Sequence, residues 1–233
     1  MPYGKEKNAK EKAESMDKIS KGLFAPAYPA IAEKIVKVCK ITKGKCIDAG
    51  AGSGMLSISL AKITDLDIDL LEISEESKKF AERNIASEDL ENRCRFVLGD
   101  VESMPYDDNY ADLIASRGSV FFWKDLKKAF KEIMRVLKPG GIAFVGGGFG
   151  KGAVRDKICS EMAKEDSEWE KNSTEGKRKT VENRLKIITA LEEEEIPYES
   201  ISDDSGFWIV LRKKPEIVVE IVMEREVYVK PIL

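Results

Sequence analysis

Apolar positions along the chain switch between two patterns: one residue in three or four, and short continuous runs. In "LFAPAYPAIAEKIVKVCK" a proline-bounded turn leads into a helix with Ile31, Ile35 and Val38 on one face. "KCIDAG" is a compact apolar run of the kind a buried strand carries, and "GMLSISLAKIT" is a helix that starts at the glycines. "DLDIDLLEIS" is a second strand ending near Glu72. Ser74, followed by Glu75 and Glu76, predicts a helix start with a hydroxyl cap and acids in the first turn; that helix runs to about Ile85. "CRFVLGD" and "YADLIAS" are the third and fourth strands. From Asp125 a helix places Leu126, Ala129, Phe130, Ile133, Met134 and Leu137 on one face, and "KPGG" stops it before the fifth strand, "IAFVGGG".

The rest of the chain continues the pattern less regularly. Residues 151–195 are highly charged and helical in composition, and "EEEEIPYESISDD" and "GFWIVLRKK" predict two last strands. Alternation of strand and helix implies an α/β fold, a doubly wound, mainly parallel seven-stranded sheet with helices on both faces. Three segments follow: a polar helical segment over 1–27 that is a candidate lid, a main domain over 28–213, and a tail over 214–233. The tail, "PEIVVEIVMEREVYVKPIL" with its lead-in, is too rich in β-branched residues for a free end. It is expected to pair with a sheet edge, its own or that of a second copy in a homo-oligomer.

Composition narrows the chemistry. The 233 residues suffice for one full core with appendages. The chain has no histidine, which removes imidazole bases, Ser-His and Cys-His dyads and imidazole metal ligands together. Cys39, Cys46, Cys94 and Cys159 have no paired spacing, which argues for reduced thiols in a cytoplasmic protein and against a zinc site; no metal is expected. A net charge of −3 argues against a broad nucleic-acid surface. No apolar run reaches the roughly 18 residues of a membrane span, and the charged N-terminus has no apolar signal core.

The sharpest feature is "IDAGAGSG", in which Gly50, Gly52 and Gly54 form G-x-G-x-G after a strand. The dinucleotide fingerprint wants glycine or alanine at position 55, which is Met55, and a phosphate-binding P-loop would end in Gly-Lys-Ser/Thr. Asp48, two residues before Gly50, opposes a phosphate but suits an ammonium group. Glu72 ends the second strand 22 residues beyond Gly50, where an acid accepts from ribose hydroxyls. Asp100 follows the third strand, where an acid can accept from an adenine amine.

These stretches, with "LLEIS", "VLGDVESMPYDDNYADLIAS" and "RVLKPGG", resemble the Rossmann-like S-adenosylmethionine-dependent methyltransferases, in particular those of the ubiquinone-biosynthesis type that act on small molecules. The resemblance covers about Tyr28 to Lys213. It implies S-adenosyl-L-methionine as cofactor. Asp48, Gly50 and Gly52 would hold its methionine end, Glu72 its ribose, and Asp100 with Val101 its adenine, with Ala51 and Gly54 also among the cofactor-binding residues. Ile73 would pack on the adenosine, and Ser116 would also lie against the cofactor. Competing readings are a regulator that binds the cofactor without transferring its methyl group and a nicotinamide-dependent dehydrogenase; the latter lacks an evident Tyr-x-x-x-Lys pair.

The methyl acceptor belongs beyond the same strand ends. "SRGSVFFW" follows the fourth strand, and its Arg117 and Ser119 offer donors while Phe121, Phe122 and Trp123 offer an apolar wall. Tyr28 is the candidate lid residue. The glycines of "GGGFG", Gly146 to Gly150, would allow close backbone approach or a hinge. The expected acceptor is a small, partly apolar and anionic molecule, and no catalytic residue is singled out.

Overall fold

A computed structural model describes residues 8–165 and 169–215. The expected seven-stranded, mainly parallel sheet is present, with strands β1 Lys43–Ala49, β2 Asp65–Glu72, β3 Cys94–Leu98, β4 Ala111–Arg117, β5 Leu137–Gly148, β6 Tyr198–Asp203 and β7 Gly206–Arg212. Their order is β3-β2-β1-β4-β5-β7-β6. β7 runs antiparallel to β5, and β6 antiparallel to β7. The order reverses between β1 and β4, and the crevice above their C-terminal ends is where such a sheet takes its ligand.

Seven helices accompany the strands among the described residues: α1 Ala9–Lys21, α2 Ala27–Cys39, α3 Met55–Ala61, α4 Glu75–Ala86, α5 Leu126–Val136, α6 Gly152–Glu165 and α7 Trp169–Glu193. The core divides at the sheet. On one face Ile31 and Ile35 of α2, Leu56 and Leu60 of α3 and Ala81 and Ile85 of α4 pack on Cys46, Leu70 and Phe144. On the other, Phe130 and Ile133 of α5 and Ile187 and Leu191 of α7 pack on Ile47, Ile114 and Val145. α1 lies outside this sandwich, against α4.

Several boundaries move for physical reasons. α2 begins at Ala27 and contains Pro29, because the first turn of a helix has no intrahelical partner for the amide that proline lacks. Ser74 occupies the cap position of α4 but its hydroxyl makes no capping bond; it donates to Glu76 instead. Asp125 does cap α5, its carboxylate accepting from Lys128 N at 3.0 Å. α5 ends at Val136, and Leu137 already belongs to β5, pairing with Ala111 ahead of a register shift. The glycines of "GGGFG" serve close packing: a Cβ on Gly146 would overlap the Phe207 carbonyl oxygen of β7. From residue 216 the tail lies outside the described residues, as do residues 1–7 of the N-terminal segment. Among the described residues no helix is long and apolar enough to cross a membrane.

Candidate active site

The loop after β1 is held on both sides before any ligand enters. Gly50, Gly52 and Gly54 all have positive φ, at 76°, 56° and 83°, a conformation that side-chain-bearing residues rarely adopt. Gly50 is also sterically required, since a Cβ there would overlap the Cβ of Ser119. Gly50 N and Ala51 N both donate to the Leu71 carbonyl, at 2.8 and 3.2 Å. Gly52 N donates to one oxygen of Glu72 at 2.8 Å, and Ser74 N donates to the other at 3.0 Å. Glu72 therefore clasps the loop to the end of β2.

Asp48 lies under this loop, 1% exposed, with Ser57 Oγ donating to its carboxylate at 2.7 Å. Burial pushes its pKa up to about 7; the Ser57 bonds oppose the shift and the charge of Glu72 adds to it. A carboxyl so poised gains from a cation brought alongside it. Asp100 turns inward at the end of β3, its carboxylate accepting from Glu102 N at 2.9 Å.

These groups line one cavity of about 770 Å3, within the range of small-molecule sites. Its walls include Asp48, Gly50, Ala51, Gly52, Glu72, Ile73, Asp100 and Val101 from the first three strand ends, and Tyr28, Arg117, Ser119 and Trp123 from the other side. Two expected residues are not on its surface. Gly54 starts α3 and fits against Leu70, where a Cβ would come within 2.7 Å of a methyl carbon. Ser116 is buried behind Ser119, with their hydroxyls 2.7 Å apart. Phe121 does not belong to this wall either; it packs against Gly147 and the α5–α7 side of the core, while Phe122, 84% exposed, and Trp123 line the cavity.

Ser119 is a strut more than a ligand. Its hydroxyl donates to the Ala49 carbonyl at 2.7 Å and receives the Trp123 indole N–H at 3.2 Å. That ties the end of β1 to the 3-10 turn at Val120–Phe122. Arg117 differs. Its guanidinium stands 4.9 Å from the Phe24 ring centroid and 5.4 Å from that of Tyr28, and its Nε donates to the Gly148 carbonyl at 3.3 Å. It has no carboxylate partner among the described residues. Tyr28 is itself buried, its hydroxyl donating to Ser20 Oγ at 2.9 Å.

α1, within the segment read as a candidate lid, supplies Ala9, Lys12, Ala13 and Met16 to the cavity wall, residues that the sequence analysis did not single out. The signal was present: Ala9, Ala13 and Met16 fall at helical spacing on a stretch otherwise dominated by charge.

A family model described as a methyltransferase domain matches residues 47–145, the segment from β1 into β5 that carries the glycines and all three acids. A solved structure from Methanococcus maripaludis, assigned as an S-adenosyl-L-methionine-dependent methyltransferase, is 46% identical with a TM-score of 0.84, covering 94% of this chain and 100% of that one. The chain belongs to the S-adenosyl-L-methionine-dependent methyltransferases. An S-adenosylmethionine-dependent methyltransferase from Aquifex aeolicus shares the fold at 18% identity, with a TM-score of 0.61 over 89% of this chain and all of its own. Among curated relatives, a 2-methyl-6-phytyl-1,4-hydroquinone methyltransferase of Oryza sativa is 32% identical over 100 residues, 42% of this chain and 29% of that protein. A sterol 24-C-methyltransferase of Aspergillus fumigatus is 33% identical over 121 residues, 50% of this chain and 32% of that protein. The chain thus spans about a third of these relatives' length.

Proposed function

We propose that the chain is a cytoplasmic enzyme that transfers the methyl group of S-adenosyl-L-methionine to a small, partly apolar, anionic acceptor. The observation that carries this reading is the two-sided cavity. Three acids stand on its β1–β3 side, and an arginine without a carboxylate partner among the described residues stands amid aromatic rings on its β4 side.

The residues present fit the cofactor. Asp48, a buried carboxyl with one hydroxyl donor and a raised pKa, suits the ammonium of the methionine end, and the glycine loop admits close approach beside it. Glu72 and Asp100 stand in line at the ends of β2 and β3 for the ribose hydroxyls and the adenine amine, and the 64%-exposed Ile73 offers an apolar surface to the adenosine. When bound there, S-adenosylmethionine supplies a methyl group already activated on a sulfonium sulfur. The chain's own task is then alignment and exclusion of water, which needs no histidine.

The acceptor side is set by Arg117, Tyr28, Phe24, Phe122 and Trp123. A guanidinium stacked on rings keeps its outer N–H groups for a bidentate contact with an anionic group, while the rings hold the apolar part. The relatives named above act on lipophilic quinols and sterols, which supports an apolar component.

Arg117→Ala tests this division. Turnover of the true acceptor should fall about tenfold in kcat/KM, the worth of one charge-assisted hydrogen bond. Affinity for S-adenosylhomocysteine, measured by calorimetry, should stay within about threefold. An equal loss of cofactor affinity would move Arg117 to the cofactor's carboxylate, and unchanged turnover would remove it from the site. The acceptor itself is found by incubating protein and labelled cofactor with cell extract; transfer of label to no small molecule in any extract would overturn the enzymatic reading.

A further inference from the structure

α1 is connected to the glycine loop by a buried polar relay. Asp17, on the inner side of α1, is 7% exposed although the helix around it is mostly solvated. Its two oxygens are both used: one accepts from Arg83 Nη2 at 2.6 Å, the other from Asn84 Nδ2 at 2.8 Å. Asn84, on α4, is 2% exposed. Its amide nitrogen also donates to the carbonyl of Ser53 at 3.0 Å, and its oxygen accepts from Lys21 Nζ of α1 at 3.1 Å. The carboxamide is fully engaged and its orientation fixed: a flip would put its oxygen against both the Asp17 carboxylate and the Ser53 carbonyl.

Ser53 is a member of the loop itself and lines the cavity with Gly50 and Gly52. The peptide between Ser53 and Gly54 leads into the N-cap of α3, and Gly54 N donates to Ala51 O at 2.9 Å, closing the turn. A donor held on the Ser53 carbonyl fixes that peptide plane, and with it the tilt of the loop under the ligand. α1, at the other end of the relay, supplies the cavity wall through Lys12, Ala13 and Met16. Displacement of α1 would withdraw Asp17 from Asn84.

We propose that Asn84 is a positioning residue for the glycine loop and that Asp17 makes its action depend on α1 being seated. Seating α1 on the cavity wall and setting the glycine loop are then one event. The consequence for function rests on the reading that the loop holds the methionine end of the cofactor.

The coupling is tested in the cofactor-free protein by hydrogen exchange. In the wild type, the amides of Gly52 and Gly54 and those of the second half of α1 should open together, with one dependence on denaturant. In Asp17→Ala and in Asn84→Ala the loop amides should exchange faster, although Asp17 does not touch the loop. Affinity for S-adenosylhomocysteine should fall about tenfold in each variant, and the double variant should be no weaker than the worse single one. Asp17→Asn, whose amide oxygen can still accept from Asn84, should recover most of the affinity. Independent opening of α1 and the loop in the wild type overturns the proposal without need of any variant. So does an Asp17→Ala protein with unchanged loop exchange, or a double variant whose losses multiply. A wild type that binds no S-adenosylhomocysteine would instead sink the cofactor reading and leave the exchange result to decide the relay.

Discussion

Asp48→Asn is expected to weaken cofactor binding by about two to three orders of magnitude while making the cofactor-free protein more stable above neutral pH. Both effects come from burial. The carboxyl is 1% exposed, and its pKa is raised from an ordinary 3.8 to about 7. In the folded protein without ligand, ionising it costs desolvation that the hydrogen bonds from Ser57 do not offset. A ligand ammonium beside it restores the balance, and removing the charge leaves that ammonium buried without a partner. The sign for stability follows from linkage. A folded pKa above the unfolded one contributes stability that is fully present below about 4 and lost as pH rises through about 7. The carboxamide in the variant does not titrate, so the variant's melting temperature should exceed the wild type's near pH 8 and lose that advantage near pH 4. Binding shows the mirror image. Wild-type affinity for S-adenosylhomocysteine should fall about tenfold for each pH unit below 7, because binding must then release the carboxyl proton. Calorimetry across pH 5 to 8 reads this slope, and the variant should show none. A variant that binds like the wild type would remove Asp48 from the cofactor site.

Much of the β1–β3 wall of the cavity was legible because its signals are local. Gly50, Asp48 and Glu72 belong to one strand-helix-strand unit, and a sheet of known alternation puts their strand ends side by side. The β4 wall was harder. "SRGSVFFW" does reach the cavity, but sequence cannot tell that Ser119 spends its hydroxyl on Ala49, 70 residues away, or that Ser116 is hidden behind it. Nor can it separate Phe122 from Phe121, adjacent in the chain and turned to different sides of the 3-10 turn. Asp17 was the least visible. It is one acid of three in a charged helix, and only its contacts with Arg83 and Asn84, 66 and 67 residues on, explain why it is buried. Long-range polar partners leave no periodicity behind them.

Glu72→Ala is expected to weaken S-adenosylhomocysteine binding roughly a hundredfold and to lower the melting temperature by a few degrees. A strand-end acid read from sequence alone is not core, and its loss would affect the ligand only. The structure adds a second role, since its two oxygens hold Gly52 N at 2.8 Å and Ser74 N at 3.0 Å. Each carboxylate oxygen keeps a further lone pair, so the clasp and two ribose hydroxyls can be served together. Glu72→Gln should be intermediate, because its amide group turns a donor toward one of those N–H groups. Separating the two roles needs a ligand that differs only at the ribose. Wild-type protein should bind adenosine more tightly than 2′,3′-dideoxyadenosine, and Glu72→Ala should bind both alike. Equal preference in wild type and variant would mean that Glu72 only shapes the loop, and the ribose would have to find its partner elsewhere on the cavity wall.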